Sequence, residues 1–295
     1  MLKNISLNSF IMNGVDFYNK FSFELSNILT KKYSTSFYLS SLFFKKEIKE
    51  AIFSIYGFVR LADEIVDSFL EFNQKELLED FEKEVFNALE QGISLNPFLN
   101  AFILTVKKYN IDKDLIYAFL KSMKNDLYKK EYFSEKELKE YIYGSAEVVG
   151  LMCLKIFVKN NNSLYNELKE YAISLGSAFQ KVNFLRDIKY DFHVLKRKYF
   201  PNLDFNKFSE EDKNKIIEDI EKEFENAKIG IKKLPKDSKL AVLIAFNYYK
   251  ALLNKLKKTK SSDILKKRIR ISNALKFLLI FKSYIQYKFN LIWCL

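Results

Sequence analysis

The sequence predicts an all-α fold: a single bundle of helices closed around an apolar interior. Three observations predict it. Turn-forming residues are scarce, with 3 Pro and 7 Gly against 48% hydrophobic residues in 295, so long helices with short joints are the natural reading. Helical periodicity runs through several long stretches, and no segment alternates between turn signals as a strand would. No period of roughly 20–50 residues recurs, which sets solenoids aside, and no low-complexity linker divides the chain. Residues 1–295 therefore read as one domain of roughly ten or more helices at the average helix length.

Along the chain, MLKNISLNSF lacks the apolar core of a signal peptide. The stretch AIFSIYGFVRLADEIVD (51–67) is a greasy helix that ends in Asp63, Glu64 and Asp67. Asp63 and Asp67 are four apart and share a helix face, where like charges repel. KELLEDFEKEVFNALE (75–90) and DLIYAFLKSMKNDLYK (114–129) are amphipathic helices. YIYGSAEVVGLM (141–152) holds Gly144 and Gly150. Gly inside a helix costs about 1 kcal/mol against Ala, so these two, with Gly57 and Gly176, mark either close helix packing or room for a ligand. In LGSAFQKVNFLRDIKYDFHVLKRKYFP (175–201) an apolar face of Leu175, Ala178, Phe179, Val182 and Leu185 closes on a second pair, Asp187 and Asp191. SEEDKNKIIEDIEKEFENAKIGIKKL (209–234) opens with a Ser cap and an acidic first turn. Pro97, Pro201 and Pro235 fall between helical patterns. The C-terminal ALKFLLIFKSYIQYKFNLIWCL is broken by Lys276, Lys282 and Lys288, too often to span a bilayer. It predicts a last amphipathic helix, docked on the core or resting on a membrane surface.

The net charge of +12 admits nucleic acid or an anionic membrane as partner. The lysines are scattered among Glu and Asp, and Lys, Asn, Ile, Phe and Tyr are abundant together, as AT-rich coding would produce. That is a solvated helix surface, and no nucleic-acid partner is expected. Cys153 and Cys294 lie far apart and fit no metal or redox spacing, so the expectation is a reducing, cytoplasmic compartment with no disulfide framework.

Two helices thus each end an apolar stripe with Asp-x-x-x-Asp. Were the pairs to face each other, four carboxylates would converge, and such a cluster repels itself unless cations sit in it. Oxygen donors without His or Cys select hard ions, Mg²⁺ above all, with Mn²⁺ second. Mg²⁺ commonly bridges carboxylates to phosphate oxygens, so the implied ligand is a phosphate or diphosphate. The arginines point the same way. Among 49 basic side chains only Arg60, Arg186, Arg197, Arg268 and Arg270 are Arg, and three of the five lie in or just past the two motifs. Bidentate grip on phosphate is a task for which Lys is poorly shaped; pairing with the same aspartates is the other use.

These residues resemble the head-to-head trans-isoprenyl diphosphate synthases, the squalene, phytoene and dehydrosqualene synthases, over about residues 33–285. YSTSFYLSSLF (33–43), IYGFVRLADEIVD (55–67), MKNDLYKKEYFSEKELKEYIYGSAEVVGLM (123–152), AFQKVNFLRDIKYDF (178–192) and RKYFP (197–201) carry the resemblance. The type most like it is the bacterial phytoene synthase. The resemblance implies an isoprenoid synthase fold with a central apolar cavity and Mg²⁺ at its mouth. It implies Asp63, Asp67, Asn183, Asp187 and Asp191 as metal ligands, and Arg60 and Arg186 on the diphosphate. Ser34, Ser36, Phe37, Tyr56, Tyr141, Gln180, Tyr248 and one of Arg268 or Arg270 would stand near the substrates. His193 is expected at the surface.

Three departures stand out: Glu64 after Asp63 where the family often has Asp-Asp, Thr35 where Lys is common, and Glu147 and Val148 where the family has Gly-Thr. Glu147 either faces another helix or changes the pocket. The activity implied is the Mg-dependent condensation of two geranylgeranyl diphosphates to phytoene through a cyclopropyl diphosphate, with no NADPH. The alternatives are a dehydrosqualene or squalene synthase acting on farnesyl diphosphate, and a non-catalytic assembly or scaffold relative. A product as greasy as phytoene is compatible with peripheral membrane contact. The oligomeric state stays open.

Overall fold

The computed structural model describes residues 14–201, 203 and 208–291. Thirteen α-helices and one π-helical turn are found among them: α1 (Gly14–Tyr33), α2 (Thr35–Ser41), α3 (Lys46–Asp67), α4 (Gln74–Gln91), α5 (Pro97–Tyr109), α6 (Lys113–Tyr128), α7 (Glu135–Ile142), the π turn (Tyr143–Glu147), α8 (Val148–Val158), α9 (Asn162–His193), α10 (Glu210–Lys233), α11 (Lys236–Lys258), α12 (Ser261–Ile264) and α13 (Asn273–Lys288). No strand occurs among the described residues; one isolated parallel bridge joins Glu131 to Lys198.

The helices start where side chains can satisfy the first free N–H groups. Asn96 accepts from Phe98 N at 3.1 Å, and Pro97, which has no N–H to satisfy, opens α5. Ser134 caps α7, Asn161 caps α9 and Ser272 caps α13. Ser209 and Asp212 form a reciprocal capping box at the start of α10. Gly92 ends α4 at φ 78°, a conformation open to Gly at little cost.

Helix α3 is the hub. Its Ile48, Ile52, Ile55, Phe58, Ala62 and Ile65 are buried and it packs against α1, α4, α5, α6 and α8. Phe58 stacks on Phe102 at 4.1 Å and touches Phe81 and Phe119, which ties α3 to α4, α5 and α6. Helix α9 lies across α8, the π turn, α10 and α11. The run Glu135–Val158 is long and apolar enough to cross a membrane, yet 61% of its most apolar 18 residues are buried in the fold. The backbone of α8 can approach α9 closely because glycines face each other there. A Cβ on Gly176 would sit 3.0 Å from Ala146 O, and one on Gly150 would sit 3.1 Å from Ala172 O.

Candidate active site

The apolar stripes of α3 and α9 bring both acidic ends to one place. Asp63 and Asp67 in the last turns of α3 and Asn183, Asp187 and Asp191 in the last turns of α9 line a single polar cavity of about 790 Å³. Arg60, Arg186, Arg268 and Tyr141 line it too. Directly adjoining is an apolar cavity of about 290 Å³, walled by side chains such as Phe37, Val149, Leu175, Phe179 and Tyr249. Val59, Ser145 and Gln180 belong to the walls of both. The result is a charged mouth on a greasy chamber.

The basic groups hold the carboxylates in ordered pairs. Asp187 takes Arg186 Nε at 3.0 Å and Arg268 Nε at 2.7 Å. Asp67 Oδ1 accepts from Arg197 Nη1 at 2.7 Å. Glu64 pairs with Arg60, whose guanidinium also lies 4.5 Å over the Tyr33 ring. Glu64 is thus a partner of Arg60 beside the aspartates and does not line the cavity.

Burial, reinforced by Asp67, pushes the Asp63 carboxyl up to about 7. Burial, reinforced by Asp187 and Asp67, pushes Asp191 up to about 8. Loss of solvent, more than neighbouring charge, disfavours the ionised forms of Asp63 and Asp191. Among the described residues no three His, Cys, Asp or Glu side chains gather closely enough to hold an ion by themselves. The donors are all hard oxygens, one or two to a helix turn. That set fits an ion that completes its shell with water and phosphate oxygens, as Mg²⁺ does, and does not fit a protein-only metal cage.

Several expected residues stand elsewhere. Tyr248 points away from the mouth, packed with Ile244 and Leu279, its hydroxyl buried without a partner. Its neighbour Tyr249 takes the place instead: its hydroxyl donates to Asn183 Oδ1 at 3.3 Å and its ring stacks on Phe179 at 3.9 Å. Arg270 lies in a separate basic cleft, so Arg268 is the arginine at the mouth. Ser34 stands at the N-terminus of α2 and Ser36 in its first turn; neither lines a cavity. Tyr56 sits one layer back, stacked on Phe37 at 5.2 Å. Glu147 faces a third cavity with Lys181 and Glu223, away from both chambers. His193, exposed, lies on the outer rim.

Two residues, Asp126 and Tyr249, were missed, and Arg197, singled out beside the second motif, takes the ion-pairing use. Asp126 of α6 is buried in the mouth, where Tyr141 donates to it at 2.9 Å. Arg197 is 3% exposed and bonds Asp67, Val66 O and Asp126 O. The bridge from Lys198 N to Lys130 O at 2.8 Å draws it there. Tyr249 was legible: Ala241, Val242, Ala245 and Tyr249 repeat at helical spacing on α11 and all line the apolar chamber. Asp126 carried no such signal: the other acid of α6, Asp114, lies in the first turn of the helix, so the two form no Asp-x-x-x-Asp pair.

The family profile described as squalene/phytoene synthase matches residues 30–274. The chain belongs to the squalene/phytoene synthase family. It is a family of prenyltransferase enzymes. The phytoene synthase of Arthrospira platensis is 29% identical over 180 residues, 58% of this chain and 58% of that protein. The 15-cis-phytoene synthase of Synechocystis sp. is 26% identical over 257 residues, 79% of this chain and 76% of its relative. In fold, this squalene/phytoene synthase family member is similar to a dehydrosqualene synthase solved with a ligand, at TM-score 0.80 and 22% identity, covering 94% of this chain and 99% of that one. It is also similar to squalene synthase HpnC from Alicyclobacillus acidocaldarius, at TM-score 0.71 and 20% identity, covering 82% and 95%. These likenesses carry the isoprenoid synthase fold.

Proposed function

We propose that the chain joins two geranylgeranyl diphosphates head to head and releases phytoene. The observation that carries the reading is the joint cavity: two acidic helix ends face one polar mouth that opens on an apolar chamber. The phytoene synthases of cyanobacteria are the relatives that favour the C20 substrate.

The reaction needs a diphosphate to leave and a carbocation to survive. Asp63, Asp67, Asn183, Asp187 and Asp191 would hold Mg²⁺, which when bound would neutralise the charge of the leaving diphosphate. Arg60, Arg186 and Arg268 offer forked donors to the same oxygens. As the allylic C–O bond breaks, C1 bonds to the 2,3 double bond of the second substrate. A proton is lost and a cyclopropyl diphosphate forms. Its own ionisation, rearrangement and second proton loss give phytoene, with two diphosphates and two protons released and no reductant consumed. The cation is shielded from water by the apolar chamber, where aromatic faces such as Phe37, Phe179 and Tyr249 contribute about 2 kcal/mol or more each when desolvated.

The test is incubation of the purified protein with Mg²⁺ and either C15 or C20 diphosphate, with the product identified by mass. A C40 hydrocarbon from the C20 substrate is expected; a C30 product from C15 alone would assign the farnesyl alternative. Asp63→Ala and Asp187→Ala each abolish turnover while the helical circular dichroism stays intact. Near-normal activity in either variant overturns the assignment, and no product from any prenyl diphosphate favours a non-catalytic assembly role.

A further inference from the structure

We infer that α13 and the basic cleft before it form a docking surface for an anionic lipid bilayer. The inference stands apart from the condensation chemistry.

Helix α13 turns a mixed face inward, Leu275, Leu279 and Ile280 together with polar side chains. Ser283 and Gln286 are buried against α11 and both bond Asn247, at 2.7 Å and 2.9 Å. Lys276 is buried as well. On the opposite side Phe277 is 63% exposed, Leu278 61% and Phe281 63%, with Tyr284 and Phe289 beside them. At 100° per residue Phe277, Phe281, Tyr284 and Lys288 fall on one narrow stripe. A helix that faced only water would carry polar side chains where Phe277, Phe281 and Tyr284 stand.

Charge names the occupant. Beyond Asp263 the sequence holds no Asp or Glu, yet it holds Lys266, Lys267, Arg268, Arg270, Lys276, Lys282 and Lys288. Lys282 and Lys288 are exposed on the helix itself. The cleft just before it is lined by Lys255, Lys258, Lys260, Lys267, Arg268 and Arg270 against a single acid, Asp263. Lys255 Nζ donates to Arg270 O at 2.6 Å and holds the two strands of chain together there. Aromatic and aliphatic side chains on one helix, bracketed by lysines and free of acids, match an interface of acyl chains under anionic headgroups. A second copy of this chain would meet the same positive charge on both sides, which opposes pairing. Arg268 lines both the basic cleft and the catalytic mouth, so the docking surface adjoins the entrance through which amphiphilic prenyl diphosphates would come.

The test is flotation of the full-length protein with phosphatidylcholine vesicles, with and without phosphatidylglycerol. Binding to the anionic vesicles is expected, weakened by salt. Lys282→Gln and Lys288→Gln should each lower the partition coefficient about fivefold, from about 1 kcal/mol per surface lysine. Phe277→Ser with Phe281→Ser should abolish flotation while condensation of detergent-dispersed substrate stays unchanged. A polarity-sensitive dye on Phe281→Cys, in a Cys294→Ser background, should shift to an apolar signal only when anionic vesicles are added. The proposal is overturned if wild type fails to float or if the Phe pair floats as wild type does. It is equally overturned by an apolar dye signal without vesicles, which would mean that a second copy or the chain's own first residues cover the stripe.

Discussion

Tyr248 and Tyr249 are consecutive on α11, and one position separates a core ring from a ring at the mouth. Tyr249 reaches Asn183 and stacks on Phe179; Tyr248 buries a hydroxyl with no partner. An unsatisfied buried hydroxyl costs about 1–3 kcal/mol. Tyr248→Phe is therefore expected to raise stability by about 1 kcal/mol in a denaturant melt and leave turnover unchanged. Tyr249→Phe is expected to lower turnover several-fold, with little change in the melt. If the two substitutions exchange these effects, the assignment of the rings is wrong. Arg268 and Arg270 obey the same logic: both are near in sequence, and only Arg268 turns its fork onto Asp187. The helical spacing of Ala241, Val242, Ala245 and Tyr249 favours the second ring, whereas no spacing rule separates the two arginines without knowing which side of the loop meets α9.

At the level of elements, the crossing of α8 over α9 is set by backbone approach. Gly176→Ala would gain about 1 kcal/mol of helix propensity. It would also push a methyl against Ala146 O at 3.0 Å and Glu147 Cα at 3.1 Å, neither of which is a flexible side chain. Overpacking of this kind costs about 1–3 kcal/mol, so a net loss of melting temperature is expected. An unchanged or higher melting point would show that the helices can separate freely. Because Gly150 and Gly176 also line the apolar chamber, packing and room for a ligand, which the sequence left as alternatives, coincide here.

The π turn between α7 and α8 has a pH signature. Burial, then Glu223, pushes Glu147 up to about 7, and Lys181 opposes this. A carboxyl raised above its unfolded value binds more protons in the folded state, so stability falls as pH rises from about 4.5 to about 7. Glu147→Gln should lessen that slope, to which Asp63 and Asp191 also contribute, and stabilise the protein at pH 8 by about 1–2 kcal/mol. Thermal melts across this pH range decide it: a variant with the same slope as wild type would place the titration elsewhere.

Across the whole molecule, Arg197 is the tie. It joins the segment after α9 to the ends of α3 and α6 through Asp67, Val66 O and Asp126 O. Removing it leaves Asp126 and Asp67 without their nearest cation, and breaking a buried ion pair costs about 3–5 kcal/mol. Arg197→Ala should therefore destabilise the fold by that order in denaturant, more than a surface Arg such as Arg270. A loss below about 1 kcal/mol, the range of exposed pairs, would mean that the tie is not structural. The long amphipathic helices, the Ser209 cap and the two acid-ended stripes were legible in the sequence, because periodicity and capping act within one turn or two of chain. The same periodicity pointed both acidic ends toward a core. Which arginine serves the mouth, that Asp126 joins it, that Glu147 leaves it and that α13 turns its rings outward were decided by tertiary structure alone. Each depends on which neighbour a helix face meets, and that is fixed by crossings between segments far apart in the chain.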